Sequence, residues 1–198
     1  MSRMYVMAVC MVAAFVSSMA NAALISADYQ VNHLQTDPGL VVNTGDIASN
    51  PFSFNMNEGD SLTFDLFRIW TNENSIGGDD KSAKPIAVDF NFTSPELMNG
   101  AVNGSTSGWK GGLFGSIQKG VLSWNAPLEL TYGALNDGLL RITLSNETFN
   151  KGYDWGTYEG EKYCANVQAT INFVREATAA SVPEPGTLAL LGLGLARR

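Results

Sequence analysis

The chain has 198 residues, 45% of them hydrophobic and only 16% charged, with a net charge of −7. Arg3, Arg197, Arg198 and Glu184 belong to the two end segments; without them the body keeps nine basic residues against eighteen acidic ones, which argues against nucleic acid as a partner and disfavours adsorption to anionic lipid. His33 is the single histidine, so neither a two-histidine catalytic site nor a multi-histidine metal centre can form, and no metal ion or cofactor is expected.

Residues 1–22, MSRMYVMAVCMVAAFVSSMANA, place Arg3 before an apolar stretch from Tyr5 to Val16 and then end on small residues. The apolar stretch falls short of the roughly 20 residues that a membrane-spanning helix needs, and an A-x-A site follows it. This is the pattern of a secretory signal peptide, read by signal peptidase at Ala20 and Ala22 and cut before Ala23. Cys10 lies within the segment removed.

The body then reads with period two. DYQVNHL is a first strand carrying His33, for which a structural role is expected. Phe52, Phe54 and Met56 alternate with polar residues, as do Ile86, Val88, Phe90 and Phe92, then Leu140, Ile142 and Leu144, then Ala165, Val167, Ala169, Ile171 and Phe173. Each set predicts a strand with one buried face. In SLTFDLFRIW the apolar positions change phase from Leu62, Phe64 and Leu66 to Phe67 and Ile69, which predicts a β-bulge. Turns are written in Asn57-Glu58-Gly59-Asp60, Gly77-Gly78-Asp79-Asp80 and Asn136-Asp137-Gly138. About eight to ten such strands without an amphipathic helix predict an all-β fold: a single antiparallel β-sandwich of jelly-roll kind, with a closed barrel as the alternative.

Several residues along this body carry candidate chemistry. Asp79 and Asp80, followed by Lys81, are oxygen donors of the type calcium takes, but they lack alternating acidic spacing, and a solvated turn is the expected reading. Asp46, Asp60 and Asp137 stand in comparable turns. KGYDWGTYEG gathers Tyr153, Trp155 and Tyr158 with Asp154 and Glu159, and STSGWKGG adds Trp109. Flat sugar faces pack on aromatic rings while carboxylates and amides bond the hydroxyls, so these four rings are the candidate glycan-binding set. The simpler expectation is that the rings fasten a long loop to the core, and Trp124 is assigned to the core itself. Cys164 is the one cysteine left after signal cleavage and is the candidate for an intermolecular disulfide in a dimer. Paired carboxylates could serve a glycoside hydrolase, but sequence does not say which acids meet, and the chain is not expected to be an enzyme.

From Thr178 to Pro185 the chain turns to Ala, Ser and Pro, and it closes with SVPEPGTLALLGLGLARR. Pro183 and Pro185 hold Glu184 in extended, accessible backbone. Residues 187–196 would make roughly 15 Å of helix, half of a hydrocarbon core of about 30 Å, and the following arginines favour the cytoplasmic side, so this is a transient inner-membrane anchor. Val182-Pro183-Glu184-Pro185 followed by an apolar run and a basic end resembles the PEP-CTERM sorting signal. The resemblance implies export by a Gram-negative bacterium, recognition of the Pro-Glu-Pro by an exosortase, loss of residues 187–198, and delivery to the cell surface or to an extracellular matrix in which exopolysaccharide and biofilm are made. The same tail occurs on proteins described as ice-binding, but residues 23–181 lack the regular threonine repeats of a flat ice-binding face.

The expected organisation is therefore a signal peptide at 1–22, a β-sandwich domain at 23–177, a linker at 178–181 and a sorting signal at 182–198. The expected function is that of an exported binding or structural component linked to exopolysaccharide. The alternatives are a secreted glycan-active hydrolase and, by analogy of the tail only, an ice-binding protein.

Overall fold

The computed structural model describes residues 22–178. The signal peptide with Ala20, the linker after Thr178, and the sorting motif Val182, Pro183, Glu184 and Pro185 lie outside the described residues.

The described chain forms eleven strands: β1 Ala23–His33, β2 Asn43–Asp46, β3 Phe52–Met56, β4 Ser61–Trp70, β5 Lys84–Ser94, β6 Met98–Gly111, β7 Ile117–Trp124, β8 Leu128–Tyr132, β9 Gly138–Leu144, β10 Glu147–Gly152 and β11 Ala165–Arg175. They make two antiparallel sheets, one ordered β10-β7-β6-β5-β1-β3 and the other β2-β4-β11-β9-β8. The inner faces meet over Ile25, Phe67, Val88, Phe90, Phe92, Leu122, Ile142, Phe149, Ile171 and Phe173, all buried. Burying each such side chain stabilises the fold by about 1.5–3 kcal/mol, which fixes register, because a one-residue slip would turn the whole row outward. The protein is an all-β sandwich.

The bulge lies where the phase change predicts it. Val167 pairs with Phe67 and Gln168 with Asp65, so Leu66 is the extra residue and both Leu66 and Phe67 turn inward. The strand count exceeds the expected eight to ten for two reasons. β2, with sequence NTGD, has no apolar face and is held as an edge by backbone pairing to β4. β6, the longest strand, turns glycines inward. A Cβ on Gly108 would come within 2.6 Å of the Ile76 side chain, and one on Gly120 of β7 within 2.2 Å of the Phe149 ring, so the neighbours' side chains fill the space and no apolar alternation is written in these strands.

Strand directions give the sandwich two unlike ends. At one, here the tail pole, Ala23 at the start of β1 and Ala177 just after β11 line the same cleft of about 280 Å³, with Pro95, Glu96, Tyr132 and Gly133. The last described residues are held there: the Glu176 N–H donates to Glu58, the Thr178 N–H to the Asp137 carboxylate, and the Tyr132 hydroxyl to the Arg175 carbonyl. At the other end, the loop pole, residues 71–83, 112–116 and 153–164 connect β4 to β5, β6 to β7 and β10 to β11.

Candidate functional site

The loop pole is tied together by polar side chains that reach it from inside. Asn150 sits in an irregularity of β10, where Phe149 pairs with Gly120 and Gly152 with Gln118, leaving one residue too many. It takes up the slack with a φ of 50°, a left-handed conformation that asparagine tolerates better than most residues. Its buried amide accepts the Thr71 N–H at 2.9 Å and donates to the carbonyls of Tyr158 at 2.5 Å and Gly160 at 3.0 Å. Gln118, fully buried, accepts the Ile76 N–H at 2.5 Å and donates to the Trp155 carbonyl at 2.6 Å. The Trp155 N–H reaches the Ser116 carbonyl, the Thr157 N–H the Asn74 carbonyl, and the Thr157 hydroxyl the Glu73 carbonyl. Buried amides of this kind are costly to leave unpaired, so each bond holds the 153–164 loop in one conformation.

Polar groups, rather than aromatic packing, thus fasten the loop, which overturns the simpler expectation for its rings. Tyr153 is 52% exposed, Trp155 62%, Tyr158 37% and Tyr163 40%. Tyr153 and Tyr158 stand with ring centroids 6.4 Å apart, and Tyr158 and Tyr163 5.0 Å apart, a row of three. Lys151 lies 5.0 Å from the Tyr153 ring and Lys162 5.3 Å from the Tyr163 ring, while Asp154 and Glu159 are exposed on the same loop.

Two residues hold conformations that aromatic side chains rarely adopt. Trp155 has a φ of 58° and Phe114, on the neighbouring loop, a φ of 55°, and Phe114 is 86% exposed. Left-handed backbone disfavours an L-residue by about 1–2 kcal/mol, and neither ring recovers this by burial.

Of the sequence candidates, Tyr153 and Tyr158 come together as a ring pair, and Trp155 stands on the same loop. Trp109 lies near the end of β6, packed over Gly111 with the Lys119 ammonium 5.0 Å from its ring. Tyr163 and Phe114 escaped the sequence reading. The signal for both was the one used for the others, an aromatic residue in a polar, glycine-containing stretch: EGEKYC and GGLFGS. Trp124 packs against the core, its indole N–H donating to the Ser145 carbonyl at 3.0 Å. Cys164 is half-buried, directly after a short 3-10 turn.

The acidic turns resolve into internal caps. Asp80 is buried, not solvated as expected, because its carboxylate accepts the Gly77 N–H at 2.5 Å, while Asp79 accepts the Gly39 N–H at 3.1 Å. Asp60 accepts the Asn57 N–H across its own turn, and Asp137 holds Thr178. Asp46 closes β2. Burial, with the Asp80 and Asp37 carboxylates nearby, pushes the Glu73 carboxyl above its ordinary range despite the hydrogen bond from the Val41 N–H. His33 ends β1 with its Nε2 3.2 Å from the Thr44 hydroxyl, and burial lowers its pKa. It lines a hollow of about 490 Å³ with Asn32, Asn103 and Asn125. Among the described residues no three His, Cys, Asp or Glu side chains gather as a metal site would require, and no helix is long and apolar enough to cross a membrane.

Comparison with known proteins reaches only the tail. No curated protein and no solved structure matches the chain. Residues 181–196 match the family described as the PEP-CTERM protein-sorting motif, which contains Pro183, Glu184 and Pro185. The chain therefore carries the sorting signal of an exported protein of the cell envelope or surface, with an exosortase as its processing partner.

Proposed function

We propose that the sandwich is a glycan-binding component of the exopolysaccharide matrix of a Gram-negative bacterium, carried there by signal peptidase and exosortase processing. The observation that carries this reading is the exposed cluster Tyr153, Tyr158 and Tyr163, on a loop whose backbone is bonded by the buried amides of Asn150 and Gln118. Exposed rings clustered on a hydrogen-bonded loop, inclined at 63° and 40° to one another, offer apolar edges and faces to a sugar chain. Asp154 and Glu159 supply acceptors for hydroxyl groups beside them. Trp155 on the same loop and Trp109 near the end of β6 are the further candidate rings.

Purified protein passed over exopolysaccharide from the native host tests the reading. Saturable retention is expected, and Trp155→Ala should weaken it without unfolding the domain. Unchanged retention would remove Trp155 from the contact set, and absence of binding by the parent protein would remove the glycan reading altogether.

A further inference from the structure

We infer that the protein is built as a bridge, with its attachment point at one end of the sandwich and its polysaccharide face at the other, so that it grips polymer away from the surface to which it is sorted. The polymer-binding half of this inference rests on the function proposed above; the arrangement of the two ends rests on strand topology.

The chain leaves the domain at the tail pole. Thr178, the last described residue, is hydrogen-bonded to Asp137, beside the cleft that Ala23 and Ala177 share. Between Thr178 and Pro183 there are five peptide steps, which reach at most about 18 Å when fully extended. β1 and β11 have eleven residues each, and strands of that length run roughly 36 Å. Both connect the two poles: β11 begins at Ala165, just after Tyr163, and ends at Arg175, just before the tail. The described chain therefore ends at the pole opposite the tyrosine row, and an attachment made through the tail turns the tail pole towards the envelope surface.

Each pole presents its own set of side chains. At the tail pole, Glu58 and Asp137 bind the departing chain, and Glu96 accepts the Gly133 N–H at 2.7 Å. At the loop pole, Lys119, Lys151 and Lys162 each sit over an exposed ring, and Leu113 and Phe114 project from the loop tip.

The test uses the full chain expressed in its native host, with Cys164→Ser to remove the native thiol. Two exposed leucines serve as reporters: Leu97, 81% exposed between β5 and β6 at the tail pole, and Leu113, 76% exposed at the loop pole. The L97C and L113C variants are each treated with a membrane-impermeant maleimide on a 5-kDa poly(ethylene glycol), using cells stripped of exopolysaccharide. The bridge requires L113C to react more than about ten-fold faster than L97C, the contrast between an open loop tip and a shielded one. Adding back purified exopolysaccharide should then slow L113C several-fold and leave L97C unchanged.

Equal rates in stripped cells, or a faster L97C, overturn the bridge. Recovery of all the protein in the medium also overturns it, because a bridge needs its attachment. If L113C keeps its advantage but added exopolysaccharide slows neither variant, the end-to-end arrangement stands and the glycan reading fails.

Discussion

Asn150 and Tyr158 hold each other through two bonds of opposite direction: the Tyr158 N–H donates to the Asn150 carbonyl at 3.1 Å, and the Asn150 side-chain amide donates to the Tyr158 carbonyl at 2.5 Å. One residue at an irregularity of the sheet thereby sets the path of the loop that carries the tyrosine row. Asn150→Ala would leave the buried Thr71 N–H without its acceptor, strip the Tyr158 and Gly160 carbonyls of a donor, and place alanine at a φ of 50°. The expected loss is about 2–4 kcal/mol, read from urea unfolding at constant m. A loss below about 1 kcal/mol would show that the loop does not depend on this amide.

Trp155 offers a separation of stability from binding. Its φ of 58° favours glycine and its ring is 62% exposed. Trp155→Gly is therefore expected to leave stability unchanged or raise it by up to about 1 kcal/mol, while polysaccharide retention falls. Thermal unfolding and retention measured on the same preparation decide the matter. A variant that loses both together would mean that the ring is structural.

Tyr163 joins the contact set through geometry alone, 5.0 Å from Tyr158. Tyr163→Ala should weaken exopolysaccharide binding roughly five-fold, the equivalent of about 1 kcal/mol for one stacked ring. Tyr163→Phe, which keeps the ring, should retain most of the affinity. Equal losses in the two variants would assign the effect to the hydroxyl and not to stacking.

Glu73 and His33 act on stability in opposite pH directions. The Glu73 carboxyl is raised by burial and by Asp80 and Asp37, so the folded protein holds this proton more tightly than the unfolded chain, and the associated stability is lost as pH rises through the folded value. Glu73→Gln keeps an acceptor for the Val41 N–H and should be more stable than the parent at pH 7, with the gap closing as pH falls towards 4.5, the ordinary carboxyl value. The His33 pKa is lowered by burial, so its contribution is intact above its ordinary value of 6.5 and is lost as pH falls below it. His33→Gln should flatten that acid limb. Urea midpoints across pH 4–8 for the parent and both variants test the two signs.

The fold was legible wherever a strand buries its own side chains. Phe52, Val88, Ile142 and Ile171 lie on faces written in their own alternation, and the change of phase around Leu66 is the sequence mark of the bulge. β2 and β6 were not legible, for complementary reasons: β2 contributes backbone pairing alone, and inward glycines of β6 receive side chains from elsewhere in the chain. The candidate rings were visible as aromatics in polar loops, but their exposure was not. It depends on Asn150 and Gln118, which the sequence spaces 5 and 37 residues from Trp155 and whose hydrogen bonds are properties of the fold. Asp80 taught the same lesson in reverse, since a turn aspartate that reads as solvated becomes buried once its own turn supplies the donor.

The central claim, that this sandwich is exported and released from a sorting tail, is tested most directly by the intact mass of the protein recovered without reductant from the envelope and medium of its native host. A species beginning at Ala23 and lacking residues 187–198, with or without added sugar, is the expected result. A species that retains Arg198 would contradict it.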